Sequence, residues 1–100
     1  MMRVNRIEKV LPCISDPWKL RIILYLDHQP DISSLHKYLD GRYSERLGVL
    51  TVRSGCREVN FFSTGKVTVR EVYDVAEAES LVNNILAMVE HRQFILEEAE

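Results

Sequence analysis

The sequence predicts an α+β domain. It is a two-layer sandwich in which two helices cover one face of an antiparallel sheet of about four strands, with a short additional helix at the N-terminus. Three observations carry this. Apolar residues alternate with period two in four short segments. Two further segments switch to the 3.6-residue period of an amphipathic helix. Turn residues stand at the joints, at Pro30-Asp31, Gly41, Gly55 and Thr64-Gly65. The length of 100 residues suits a single domain over 1–100, with its core at about 19–92.

The elements follow in order. Val4, Ile7, Val10 and Leu11 lie at helical spacing, so residues 3–11 read as a short helix ended by Pro12. From Lys19 to Asp27 the pattern alternates. Leu20, Ile22, Leu24 and Leu26 take one face of a strand; Lys19, Arg21, Ile23, Tyr25 and Asp27 take the other. Asp31 is a suitable N-cap for a short helix carrying Ile32, Leu35 and Leu39 on one side, with Gly41 as its stop. Three strands come next. Leu50 and Val52 oppose Val49, Thr51 and Arg53 in the first; Val59 and Phe61 oppose Asn60 and Phe62 in the second. Val67 and Val69 oppose Thr68 and Arg70 in the third. Ser54-Gly55-Cys56-Arg57 and Thr64-Gly65 supply the hairpin turns. Asp74-Val75-Ala76-Glu77 has the form of a capping box, and Ala78, Leu81, Val82, Ile85 and Val89 make one apolar stripe. That helix runs to about Arg92. Phe94, Ile95 and Leu96 either extend it or pack as a tail, and Glu97 to Glu100 are expected to fray.

Composition removes several classes of chemistry. Thirteen basic residues against fifteen acidic give a net charge of -2, which argues against a strongly basic nucleic-acid module. Two cysteines exclude a disulfide-rich scaffold and a self-contained four-cysteine zinc or iron–sulfur site. Cys13 and Cys56 are far apart, and His28, His36 and His91 are scattered, so no metal site, cofactor or catalytic constellation is expected. Gly65-Lys66 lies in a strand–turn–strand setting rather than a phosphate loop. The longest apolar run, Ile22 to Leu26, is far short of a membrane span, and residues 1–10 lack a signal-peptide core. A cytoplasmic location with reduced thiols and no membrane partner is the expectation.

The uncovered sheet face is the candidate site. Alternation places Arg21, Tyr25, Arg53, Asn60, Phe62 and Arg70 on it, together with Ile23, Thr51 and Thr68, and Glu58 is the acidic residue among them. Tyr, Phe and Arg are enriched at the centres of protein interfaces. The face therefore predicts a non-enzymatic interaction module that binds a protein partner or forms a homodimer. The alternative is nucleic-acid binding as a dimer, with the arginines on phosphates and Phe62 and Asn60 at the bases.

Three resemblances bear on this. The order strand–helix–three strands–helix, with Phe61-Phe62-Ser63-Thr64-Gly65-Lys66-Val67 as a hairpin and a helix from Asp74, resembles one repeat of the TATA-box-binding-protein fold. That implies half of a saddle whose open face lies in a DNA minor groove. Leu11-Pro12-Cys13, Asp16-Pro17, Lys19, Arg21-Ile22-Ile23, Leu26-Asp27, Asp31-Ile32 and Tyr38-Leu39 resemble the N-terminal accessory region of archaeal iron–sulfur-cluster proteins. This second likeness continues through Leu50-Thr51, Asp74 and Glu77-Ala78. It implies an archaeal accessory module to an iron–sulfur or redox protein. The closely spaced cysteines of that family's cluster domain are missing here, so no cluster is carried over. Ser15-Asp16-Pro17-Trp18-Lys19 through Ile23 resembles the opening of winged-helix transcription regulators. That alternative requires helices at 19–27 and near 42–53.

Overall fold

The computed structural model describes residues 2–14 and 16–99, with side chains through residue 96. Among them are six strands and two helices: β1 (Val4–Pro12), β2 (Leu20–Leu26), α1 (Ile32–Tyr38), β3 (Arg42–Ser44), β4 (Val49–Ser54), β5 (Arg57–Phe62), β6 (Lys66–Val72) and α2 (Val75–Ala99). The strands form one antiparallel sheet in the order β1-β2-β6-β5-β4-β3. The chain is α+β, as the sequence predicts, but the sheet has six strands rather than about four.

The first correction is at the N-terminus, where the expected helix is strand β1, and Pro12 lies within it opposite Leu20. The register gives the reason. Val4, Ile7 and Val10 pair with Leu26, Leu24 and Ile22. The partners advance by two residues while β1 advances by three. Each step holds a bulge, between Val4 and Arg6 and between Ile7 and Lys9. A bulge inserts one extra residue without moving the next inward position to the other face. Two in succession give an inward set spaced by three, which imitates a helix. They also bend an edge strand away from stray pairing, and Pro12 ends it at a position an edge tolerates.

The second correction is β3, a strand after Gly41 where the sequence pattern predicts none. Its three residues pair with β4 as Arg42 with Thr51, Tyr43 with Leu50 and Ser44 with Val49. A three-residue strand is too short to show alternation. Gly41 leads into it at very close range, since a Cβ built there would lie 2.5 Å from the Thr51 carbonyl oxygen and 3.2 Å from Leu50. A Gly41→Val chain should therefore lose about 1–3 kcal/mol of stability. It should also lose hydrogen-exchange protection across β3 and at Thr51 while β5 and β6 keep theirs.

Residues 20–26, 42–44 and 49–54 are strands, so the two helices of the winged-helix alternative are replaced by sheet. Ser15, with which that resemblance begins, lies outside the described residues.

Helix α1 is capped by Asp31, whose side chain accepts from the Ser34 N–H at 3.3 Å and from both serine hydroxyls, Ser33 at 2.7 Å and Ser34 at 3.1 Å. At α2 the Glu77 N–H donates to Asp74 at 2.7 Å, and Glu77 in turn accepts from the Tyr73 N–H at 3.0 Å. The reciprocal bond of a capping box thus lands one residue early. Helix α2 continues past Arg92 to Ala99, so residues 97–99 are helical in backbone although fraying is expected of them; Glu100 lies outside the described residues.

The core lies between the helices and the inward strand faces. Ile22, Leu24, Leu50, Val59, Phe61, Val67, Val69, Val72, Ala78 and Val82 are wholly buried. Met2, Val4 and Ile7 pack against this cluster, so it begins well before residue 19.

Two carboxylates tie the connections down and set the acid response. Asp27 accepts from the Arg3 N–H at 3.0 Å and contacts His28. The Arg3 bond, then the His28 contact, holds its pKa below the ordinary value of 3.8. The Ser33 hydroxyl, followed by Ser34, does the same for Asp31. Folded values below unfolded ones mean that the stabilisation is complete above about pH 4 and disappears as pH falls through the folded values. The urea midpoint should hold level from about pH 7 to about pH 5 and fall below about pH 4. Asn at both positions should flatten the acid limb.

Candidate functional site: the open sheet face

The six residues singled out from the sequence share one face, opposite the helices. Ile22, Leu24 and Leu26 are buried between Arg21, Ile23 and Tyr25, and the same alternation sets Thr51 and Arg53 against Leu50 and Val52. Asn60 and Phe62 on β5 and Thr68 and Arg70 on β6 complete the set. Register arranges these side chains in three rows across the strands.

The first row is aromatic and cationic. Phe62 lies opposite Val49, Lys66 opposite Tyr25, and Tyr25 opposite Arg6. The Arg6 guanidinium sits 4.3 Å from the Tyr25 ring centroid, and the Lys66 ammonium 5.6 Å from that of Phe62. Each ring already carries a cation on its face, an arrangement worth about 0.5–1 kcal/mol where exposed.

The second row is polar and closed on itself. Thr51 donates its hydroxyl proton to Asn60 Oδ1 at 2.6 Å, and Asn60 Nδ2 donates to Thr68 Oγ1 at 3.0 Å. Asn60, a sequence-predicted contact residue, spends both ends of its amide inside the sheet face. The row continues to Ile23 and Lys9 on one side and to Arg42 on the other.

The third row is a charge triad. Arg53 lies 3.5 Å and Arg70 3.7 Å from the two oxygens of Glu58. These partly exposed pairs are loose and weak. Both arginines keep donors for an outside acceptor, but Glu58 offsets part of their charge. Arg21 lies at the near end, opposite Leu11.

Register thus brings Arg6, Lys9, Arg21, Arg42, Arg53, Lys66 and Arg70 to one face, seven of the thirteen basic residues in a chain of net charge -2. Glu58 is the acid in these rows, with Glu8 and Glu71 in the bulges at the rim. Glu71 stands at φ 67, a conformation unusual for a side chain other than Gly, Asn or Asp, and bonds Lys19 at 3.5 Å.

Sequence reasoning missed Arg6, Lys9 and Arg42, because residues 3–11 have a helix-like spacing and the segment after Gly41 has no readable period. It also missed the exposure of Ile14 (99%), Trp18 (84%) and Tyr73 (63%). Ile14 and Trp18 belong to the connection between β1 and β2, which the Cys13 N–H closes onto the Lys19 carbonyl at 2.9 Å. Tyr73 joins the same end, where the Lys19 ammonium lies 5.9 Å from its ring. Apolar groups left in water beside a turn were the available signal: Asp16-Pro17 fixes the turn, and Trp18 has no inward position in it.

Elsewhere, a cleft of about 700 Å³ lies between the ends of α1 and α2, lined by His36, Lys37, Tyr38, Arg92, Ile95 and Leu96 among others. Arg92 donates to the Tyr38 carbonyl within it. Cys13 is buried and Cys56 exposed, both unpaired. Among the described residues no cluster of three or more His, Cys, Asp or Glu could hold a metal ion, and no helix is long and apolar enough to cross a membrane. No family model, no curated protein and no solved structure matches this chain.

Proposed function

We propose that this chain is a non-enzymatic protein-interaction module that works through its open sheet face. The observation that carries the reading is the aromatic and cationic row of Val49, Phe62, Lys66, Tyr25 and Arg6. Rings flanked by long cationic side chains offer apolar contact and charge together, which suits an acidic and apolar protein segment. The face fits nucleic acid less well. The cations already occupy the ring faces on which bases would stack, and the Asn60 amide that would read base edges is bonded to its neighbours. The further parts of the reading rest on resemblance: a fold like one TATA-binding-protein repeat with β1 and β3 added, and a role beside an iron–sulfur or redox protein of archaeal type. The cytoplasmic location is read from the sequence's lack of a membrane span and of a signal-peptide core.

Phe62→Asp tests it. Phe62 is half-buried on the open face, so the variant should retain the circular dichroism of the parent. Proteins captured from native extract, identified and then purified should lose about tenfold or more in affinity for the variant. Equal affinity for parent and variant overturns the reading.

A further inference from the structure

Charge is sorted by face and by segment in this molecule. The open sheet face holds seven basic side chains. The end of α2 is the opposite case. Phe94 is 60% exposed, Ile95 50% and Leu96 53%, three consecutive large apolar residues that the chain's own core leaves in water. The sequence continues from them as Glu97, Glu98, Ala99 and Glu100, with no basic residue after Arg92. This acidic and apolar stretch has the composition that the row of Phe62, Lys66, Tyr25 and Arg6 would accept. It is also barred from its own face. The body of α2 packs in the layer on the other side of the sheet, bound to Arg3 through Glu90 at 3.1 Å, to the Val4 N–H through Asn83 at 3.0 Å and to Tyr38 through Arg92.

We infer that the open face receives the C-terminal end of α2 from a second copy of this chain, so that the protein self-associates by setting Phe94, Ile95 and Leu96 beside Phe62 and Tyr25 and its glutamates near Lys66 and Arg6. The inference rests on the interaction reading given above and names the occupant of that face. A surface that meets a different surface on its partner closes into a dimer when two copies exchange reciprocally and otherwise forms a ring or chain. Either outcome raises the mass in solution. The attraction between exposed charges weakens as salt shortens the Debye length from about 30 Å at 0.01 M to about 3 Å at 1 M.

The test is sedimentation velocity over a concentration series with two charge-reversed full-length chains, R6E/K66E and E97K/E98K. The parent should associate with a dissociation constant of about 10–100 μM at low salt and less tightly at high salt. Each reversed chain alone should associate about tenfold or more weakly. An equimolar mixture of the two should recover the parent's association, because each face then meets a tail of opposite sign. Circular dichroism and melting of both chains establish that they are folded. A parent that stays monomeric at about 1 mM, or a mixture that fails to recover, overturns the inference. Salt-sensitive binding of duplex DNA by a chain that does not self-associate does the same and assigns the face to nucleic acid. If the parent is monomeric while the purified partner still depends on Phe62, the interaction reading stands and only its occupant is wrong.

Discussion

Replacing Phe61 with alanine should remove about a third to a half of the folding free energy of a chain this size. Phe61 is wholly buried and is the largest such side chain among the described residues. It sits on β5 between Leu50 of β4 and Val67 of β6, near the middle of the sheet and beneath the helices. A buried Phe→Ala change costs about 3–5 kcal/mol, combining lost transfer energy with a residual cavity. A domain of this size has about 5–15 kcal/mol in all. Urea denaturation should therefore show a midpoint reduced by roughly half, with an unchanged slope if the transition remains two-state. Phe62, its neighbour in sequence, faces the other way. Phe62→Ala should cost about 1 kcal/mol or less. Adjacent phenylalanines thus separate the two roles of the sheet. A result in which both substitutions cost the same would mean that the open face is itself buried in solution.

The contrast also shows what was readable beforehand. Inward positions on β2, β4, β5 and β6 follow from strict alternation, and the residues it selects there, from Ile22 to Val69, are the buried ones. The open face was legible for the same reason, since whatever alternates out of the core lies on it. Its three-row organisation was not. Rows depend on which residues stand opposite across strands, and the hairpins at Gly55 (φ 64) and Gly65 (φ 93) settle locally only the pairings of β4 with β5 and of β5 with β6. The pairing of β2 with β6, which sets Tyr25 beside Lys66, joins segments some forty residues apart with nothing local to fix it. The exposed apolar end of α2 was equally hidden. A helical period continues through Phe94 to Leu96 whether or not there is a core left to receive them.

Deleting single residues should expose the reason β1 resembles a helix. In β1, Ile7 faces Leu24 and Val10 faces Ile22, with Glu8 and Lys9 together spanning the one position opposite Ile23. Deleting Glu8 removes the extra residue and leaves Ile7, Lys9 and Val10 in regular alternation, each with its present partner. The chain should stay folded, with a change of about 1 kcal/mol or less. Deleting Ile23 from the regular strand β2 does the reverse. It turns either Leu24 and Leu26 or Leu20 and Ile22 to the solvent face, while β1 and β6 continue to present the old register on both sides. Withdrawing two buried side chains costs about 3–6 kcal/mol at about 1.5–3 kcal/mol each, before any loss of ladder bonds. That removes most of the stability of a domain this small. Amide exchange and thermal melting should find the Glu8 deletion close to the parent and the Ile23 deletion unfolded. Equal damage from both would mean that β1 holds no bulge at Glu8, and its three-residue spacing would then need another explanation.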